Sequence, residues 1–300
     1  MLHIETKAQL RAACDAARAR GGRVGFVPTM GALHDGHLSL IRAARAANDF
    51  VVVSIFVNPL QFGPSEDFDL YPRDLSGDLA QCGELGVDCV FTPTVAEMYP
   101  GGESLSVVHV NDLTTHLCGA ARPTHFDGVT TIVTKLFALV GPSRAYFGRK
   151  DAQQLAVVTR MAADLDLPVE VCGCPIVREP DGLALSSRNA YLTAAQRESA
   201  VVLSAALRDA TGAVKAGVRD PRDLTARIKA RIASEREVDL EYVAVVDAHD
   251  LRPPDVLSGD VLIALAARVG ATRLIDNVTL MIHGDTVSAD LGIRLTSARR

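Results

Sequence analysis

Residues 51–57, Val-Val-Val-Ser-Ile-Phe-Val, constrain the fold more than any other stretch of the chain. A run this uniformly apolar and β-branched offers no polar face to water, so it predicts a strand covered on both sides. Strands of that kind belong to parallel sheets whose crossover helices cover the faces. The preceding sequence supplies such a crossover: a core strand over 23–27, then a helix over 37–47 with Leu38, Ile41 and Ala44 at helical spacing. The resulting β-α-β unit implies right-handed connections.

The segment that joins that strand to its helix reads Pro28-Thr29-Met30-Gly31-Ala32-Leu33-His34-Asp35-Gly36-His37. A helix start presents unpaired N–H groups and the positive end of the macrodipole, which suits an anion. Gly36 leaves no side chain in the way of a large ligand, and His34 and His37 can face one anionic group. Taken alone, these residues leave two readings open: a nucleotide phosphate site, or a surface turn whose histidines are solvated or cap the helix.

With 300 residues there is length for two domains, and the 48% apolar, 22% charged composition is that of an ordinary globular protein. A net charge of -5 provides no basic field for nucleic acid or an anionic membrane, so any phosphate must be held by local residues. The start, residues 1–11, has no apolar core like a secretory signal, and no apolar run is long enough to span a bilayer, so a cytoplasmic protein is expected. Six cysteines lack paired Cys-x-x-Cys spacing and read as reduced, mostly buried thiols; no nearby His or Cys completes a metal set with Cys172 and Cys174.

A first helix is expected over 6–19, capped by Thr6 and stopped by Gly21 and Gly22. After the 51–57 strand come Asn58 and Gln61, which either bind a polar substrate or only bond the turn. Asp74, Asp78 and Gln81 lie on a predicted helix, followed by a strand over 87–91. Arg122 and His125, before an apolar helix over 129–140, are either substrate ligands or loop packing. A strand over 144–147 leads into Gly148-Arg149-Lys150-Asp151 and another helix, a second phosphate-friendly helix start. A strand over 169–177 runs into a loop whose Ser186-Ser187-Arg188 suits a mobile clamp on phosphate oxygens, or is an ordinary turn.

Composition then shifts toward a smaller α+β domain beginning near 178. Thr193 and Gln196 form a capping box for a helix to about 216, Pro221 opens another, and strands are expected over 241–246, 261–267 and 278–283. No internal repeat is visible, and the basic tail 294–300 is expected to fray.

These stretches together resemble the pantothenate synthetases, ATP-dependent ligases that join pantoate to β-alanine. The marks are residues 28–37, Phe56-Val57-Asn58-Pro59-Leu60-Gln61-Phe62, Tyr71-Pro72-Arg73, Arg122-Pro123-Thr124-His125-Phe126, residues 148–154 and Ser186-Ser187-Arg188-Asn189. A lone His-x-Gly-His is weak evidence, whereas that combination in that order is highly specific. The resemblance implies a Rossmann-like nucleotidyltransferase domain over 1–177, a smaller α+β lid domain over 178–300, and a homodimer. It implies attack of pantoate on the α-phosphate of ATP to give pantoyl adenylate and pyrophosphate, then displacement of AMP by β-alanine. The rivals are a same-fold nucleotidyltransferase activating another small acid, and a non-catalytic nucleotide sensor.

The resemblance also implies roles. Met30, Gly31, Ala32, Leu33, His34, Asp35, Gly36 and His37 line the ATP site, with His34 and His37 on the phosphates and His37 the proton donor. Lys150, Ser186, Ser187 and Arg188 hold the β- and γ-phosphates, with Arg149 and Leu185 beside them. Gly148 and Asp151 approach the adenosine, and Val177 meets the adenine by its backbone. Gln61 and Gln154 grip pantoate, with Asn58 and Arg122 as further candidates, while Asp78 and Gln81 match positions associated with Mg²⁺. The chain departs from the family's pattern at Gly77 (usually acidic), Cys118 and Arg149 (usually Glu), Ala152 (usually Tyr) and Leu185 (usually Met).

Overall fold

The computed structural model of the chain describes residues 1–63, 66, 68–102 and 104–296. It divides into two compact units, one made of Met1–Thr115, Gly119–Gly148 and Val157–Cys174, the other of His116–Cys118, Arg149–Ala156 and Pro175–Arg300.

In the first unit the elements follow as β1 (Leu2–Ile4), α1 (Lys7–Ala19), β2 (Val24–Thr29), α2 (Asp35–Ala47), β3 (Phe50–Ile55), a 3-10 turn (Pro59–Gln61) and α3 (Leu75–Glu84). Then come β4 (Cys89–Phe91), α4 (Val95–Met98), α5 (Leu117–Ala121), α6 (His125–Val140), β5 (Ser143–Gly148), α7 (Ala152–Asp164) and β6 (Val169–Cys174), with the first residues of α5 and of α7 belonging to the second unit. The six strands form one sheet in the order β1-β4-β3-β2-β5-β6, every pairing parallel. Val51, Val52 and Val53 are fully buried, as a strand covered on both faces requires. On one face Val27, Leu38, Ile41, Val51, Val53 and Val90 share a core. Phe26 meets Phe137 of α6 edge to face, and each such buried side chain is worth about 1.5–3 kcal/mol of transfer free energy.

Thr6 caps α1 in a full capping box with Gln9. Helix α6 begins four residues earlier than the apolar run predicts, because Phe126 in its first turn is already buried. The single strand expected over 169–177 breaks at Pro175: it has no N–H for the ladder, so β6 ends at Cys174 and a separate β7 (Val177–Arg178) follows.

The second unit contains β7, a 3-10 turn (Ser187–Tyr191), α8 (Ala194–Lys215), α9 (Pro221–Ile232), β8 (Val238–Asp247), β9 (Gly259–Val269), β10 (Thr272–His283), β11 (Thr286–Asp290) and β12 (Ile293–Arg294). Strands β11-β10-β9-β8 make an antiparallel sheet. Leu203 and Leu207 of α8 and Leu224 and Ile228 of α9 pack on its Ile263, Leu265, Val278 and Leu280. The Thr193–Gln196 capping box is present. Ile293–Arg294, at the start of the tail expected to fray, pairs with β7 in parallel; residues 297–300 lie outside the described residues. Among the described residues no helix is long and apolar enough to cross a membrane.

Candidate active site

The sheet order places β2 between β3 and β5, so the chain builds one side of the sheet through β3 and β4 and then returns to β2 to start the other with β5. Ligands of open α/β sheets settle at the carboxyl ends of strands at such a reversal point. Here those ends are Thr29, which opens residues 30–37, and Gly148. A Cβ on Gly148 would meet nothing within 4 Å, leaving room for close approach to its backbone.

The turn after β2 is a constrained one. Gly31 has φ +81 and Ala32 φ +50, a left-handed pair that a non-glycine residue enters only when its surroundings hold it there. The Asp78 carboxylate of α3 is that surrounding: it accepts the N–H of Ala32 at 2.9 Å and of Leu33 at 2.7 Å. Burial raises the Asp78 pKa, against the pull of those two N–H bonds. Its side chain is nearly sealed, at 2% exposure, and both oxygens are committed to the turn. Gln81 donates its amide to the Gly77 carbonyl at 3.4 Å. Asp78 thus anchors the backbone that leads to His34, and Gln81 lies on the same helix α3. Among the described residues no group of three or more His, Cys, Asp or Glu is placed to hold a metal.

His34 is the N-cap of α2, its Nδ1 accepting the Gly36 N–H at 3.1 Å. A neutral imidazole that accepts at Nδ1 carries its proton on Nε2, so His34 both caps the helix and presents a donor. The two readings left open by the sequence are therefore compatible. The His37 ring stacks on it, centroids 4.1 Å apart and tilted 33°.

The loop after β3 is built around Asn58. This residue is 1% exposed and bonded throughout: its amide donates to Gln61 Oε1 (3.2 Å) and Gly128 O (3.1 Å), and its Oδ1 accepts from Tyr99 OH (2.8 Å). Asn58 holds the Gln61 side chain, whose Nε2 also meets Met30 Sδ at 2.9 Å. Arg122 has a similar task. Its Nε meets Glu66 Oε1 at 2.6 Å and its Nη2 donates to the Gln61 carbonyl at 3.1 Å, with His125 Nδ1 on the same carbonyl at 2.9 Å. Against burial, which works to raise it, the Arg122 guanidinium holds the Glu66 carboxyl below the usual range. Asn58 and Arg122, both candidate substrate ligands, thus position Gln61 as well.

In the second unit, Lys150 Nζ lies 3.7 Å from the Asp151 carboxylate, while the carbonyls of Arg149 and Lys150 accept from the amide of buried Asn277 at 3.0 and 2.8 Å. Arg149 itself turns to Asp290 at 2.7 Å. Gln154 is half-buried, and its neighbour Gln153, which the motif reading passed over, is the structural pin: it accepts the Cys118 N–H at 2.9 Å and donates to His116 O at 2.8 Å. The Val177 carbonyl accepts the Leu185 N–H at 2.9 Å, closing a hairpin that delivers Ser186, Ser187 and Arg188. Ser186 caps the following 3-10 turn by accepting the Arg188 N–H at 3.3 Å. The loop is braced by Arg197, which reaches Glu179 and, at 2.8 Å, Asp181. Sequence motifs did not mark Asp276 and Asn277, although an acid inside the apolar run Leu-Ile-Asp-Asn-Val signals a buried charge that must find a partner.

A parallel α/β sheet with a His-x-Gly-His helix start at its reversal point, followed by an antiparallel α+β unit, defines the class: a Rossmann-like enzyme of the nucleotide-using type. Comparison with known proteins narrows it. The pantoate-beta-alanine ligase family model matches residues 2–279. The pantothenate synthetase of Acetivibrio thermocellus is 53% identical over 279 residues, 93% of this chain and 99% of that one. That of Heliobacterium modesticaldum is 55% identical over 88% of this chain and 94% of its own. The crystal structure of pantothenate synthetase from Thermus thermophilus superposes with a TM-score of 0.87 at 48% identity, covering 92% of this chain and 98% of that chain. A pantoate-beta-alanine ligase from Francisella tularensis, complexed with beta-gamma ATP and beta-alanine, gives 0.75 at 34% identity over 92% and 97%. The chain belongs to the pantoate–β-alanine ligase family.

Proposed function

We propose that this chain joins pantoate to β-alanine at the expense of ATP, through a pantoyl adenylate, releasing pyrophosphate and then AMP. The observation that carries the reading is the stacked His34–His37 pair at the start of α2, on a backbone clamped by Asp78 at the sheet's reversal point. In-line transfer at phosphorus builds charge on non-bridging and leaving oxygens, so catalysis consists of positioning and of donors aimed at those oxygens. His34 and His37 are assigned to that charge, and Lys150, Ser186, Ser187 and Arg188 to the β- and γ-phosphates. Gly148, Asp151 and the Val177 backbone are assigned to adenosine.

Gln61 and Gln154 are assigned to pantoate: neutral amides suit a hydroxylated carboxylate, whereas a phosphorylated acceptor would call for further Arg or Lys. A Mg²⁺ accompanying ATP would keep phosphate oxygens and water among its ligands, as suits a hard ion that gives up its waters reluctantly, with Asp78 and Gln81 as the candidate protein ligands. Residues 178–300 as a lid, a homodimer, and action in the cytoplasm complete the reading.

Two measurements test it. Pyrophosphate should appear from ATP and pantoate without β-alanine, and AMP only when the amine is added; pyrophosphate formed equally well without pantoate, or with any of a panel of hydroxy acids, overturns the substrate assignment. Gly128→Ala tests the Gln61 pocket. A Cβ there would stand 2.2 Å from the Leu60 carbonyl oxygen and 2.6 Å from the Gln61 nitrogen, backbone that cannot swing aside. The variant should lose about 1–3 kcal/mol of stability, as overpacked sites do, and raise KM for pantoate more than KM for ATP. Equal change in both constants would detach Gln61 from pantoate.

A further inference from the structure

Away from the phosphate loop, the turn that closes the Val177–Leu185 hairpin gathers positive charge. Gly182, at φ +102, sits at the end of that turn, and an added Cβ would lie 2.8 Å from Arg208 Nη1, 3.0 Å from Arg294 Nη2 and 3.1 Å from Ser204 Oγ. Two guanidinium nitrogens that close to one point are less than about 6 Å from each other, a distance at which like charges repel substantially unless something neutralises them. Among the described residues the nearby carboxylates are engaged elsewhere. Asp276 is taken by Arg178, Glu179 and Asp181 by Arg197, Asp209 by Arg231, and Asp290 by Arg149. Among the described residues neither Arg208 nor Arg294 makes a salt bridge, and the side-chain hydrogen bond of Arg208 goes to neutral Ser204 Oγ at 3.1 Å. Burial lowers the Arg208 pKa, and the charges of Arg294 and Arg178 push it further down, outweighing Asp209 and Asp276. The parallel β12–β7 register sets Arg294 directly beside Arg178.

We propose that Arg208 and Arg294 form an anion site for a tetrahedral oxyanion of the phosphate class, separate from the residues assigned to ATP. Guanidinium groups fork onto such oxygens, and two of them on neighbouring elements can hold one dianion from two sides. Arg294 is exposed and gives access from solvent; half-buried Arg208 supplies donors in a drier setting where each bond counts for more. A bound anion would tie α8, β12 and the hairpin turn together.

The test is calorimetric titration of the whole protein with inorganic phosphate at fixed ionic strength, with sulfate as a second tetrahedral dianion and chloride as the ionic control. Saturable phosphate binding is expected, weakened at least tenfold in Arg208→Met/Arg294→Met and unchanged in Arg188→Met. In phosphate-free buffer the double variant should melt at or above the parent's temperature, since it has lost a repulsion; a purely structural pair would lower it. If the double variant does not fold, Arg294→Gln on the exposed strand carries the same test. Binding that follows Arg188→Met, that survives the double substitution, or that chloride reproduces overturns the site. Pyrophosphate release in the unmodified enzyme is unaffected by any of these outcomes, so the ligation reading stands or falls separately.

Discussion

His37→Ala is expected to slow pantoyl-adenylate formation by roughly two to three orders of magnitude, the scale of removing one transition-state donor. His37 lies in the first turn of α2, where backbone N–H groups and the helix dipole already favour an anion, and its ring is fixed against His34. The loss should appear in the single-turnover rate of pyrophosphate release, with ATP affinity changed little, because a group acting on developing charge contributes to kcat rather than to ground-state binding. His34 offers the internal control. His34→Ala removes an N-cap as well as a donor, so it should cost about 0.5–2 kcal/mol of stability in addition to rate. His34→Asn restores a good capping side chain and should return the stability while the rate stays low. Near-normal turnover in His37→Ala would confine that residue to packing against the cap.

What could be read from the sequence was set by local chemistry. The strand read from the 51–57 run, observed as Phe50–Ile55, the helix with Leu38 and Ile41 on its inner face, the Thr6 cap and the Thr193–Gln196 capping box depend on periodicity or on a side chain meeting a backbone group three residues away, and each is present. Family motifs located the His-x-Gly-His turn and the Ser186–Arg188 loop for the same reason: each is one contiguous segment. What could not be read is which distant backbone groups lack partners. The Asp78 carboxylate answers the pair of N–H groups stranded by the left-handed turn at Gly31 and Ala32, a demand no local pattern signals. The bonds of Asn58 to Gly128 O and of Arg122 to the Gln61 carbonyl are likewise invisible in the sequence. Such demands become visible only when the fold brings together residues as far apart as Asn58 and Gly128. Strand β12, of two residues, carries no periodic signal at all; its place follows from β7 needing a neighbour after Pro175 ends β6.

Asp276→Ala should be the most damaging single change to stability, about 3–5 kcal/mol, because it leaves a buried guanidinium without its counter-charge. Arg178 and Asp276 are 5% and 3% exposed, and their two contacts are 2.7 and 2.9 Å. The remaining Arg178 donors go to the carbonyls of Leu291, Gly182 and Asn277 at 2.6, 3.2 and 3.3 Å, so the group is held from the hairpin, from β10 and from the segment after β11 at once. Removing the carboxylate also frees the Asn277 N–H, which Asp276 accepts at 2.7 Å, and Asn277 is the residue whose amide grips the Arg149 and Lys150 carbonyls. Denaturant unfolding should therefore show the stability loss, and adenylate formation at a temperature where the variant is still folded should fall with it, through a displaced Lys150. Replacing both partners, Arg178→Met with Asp276→Leu, separates the two effects. An apolar pair of similar volume avoids the lone charge and should recover most of the stability. It cannot accept the Asn277 N–H, so activity should stay depressed. A loss below about 1 kcal/mol in Asp276→Ala would mean that water reaches Arg178 and that the pair is far less buried than its contacts require.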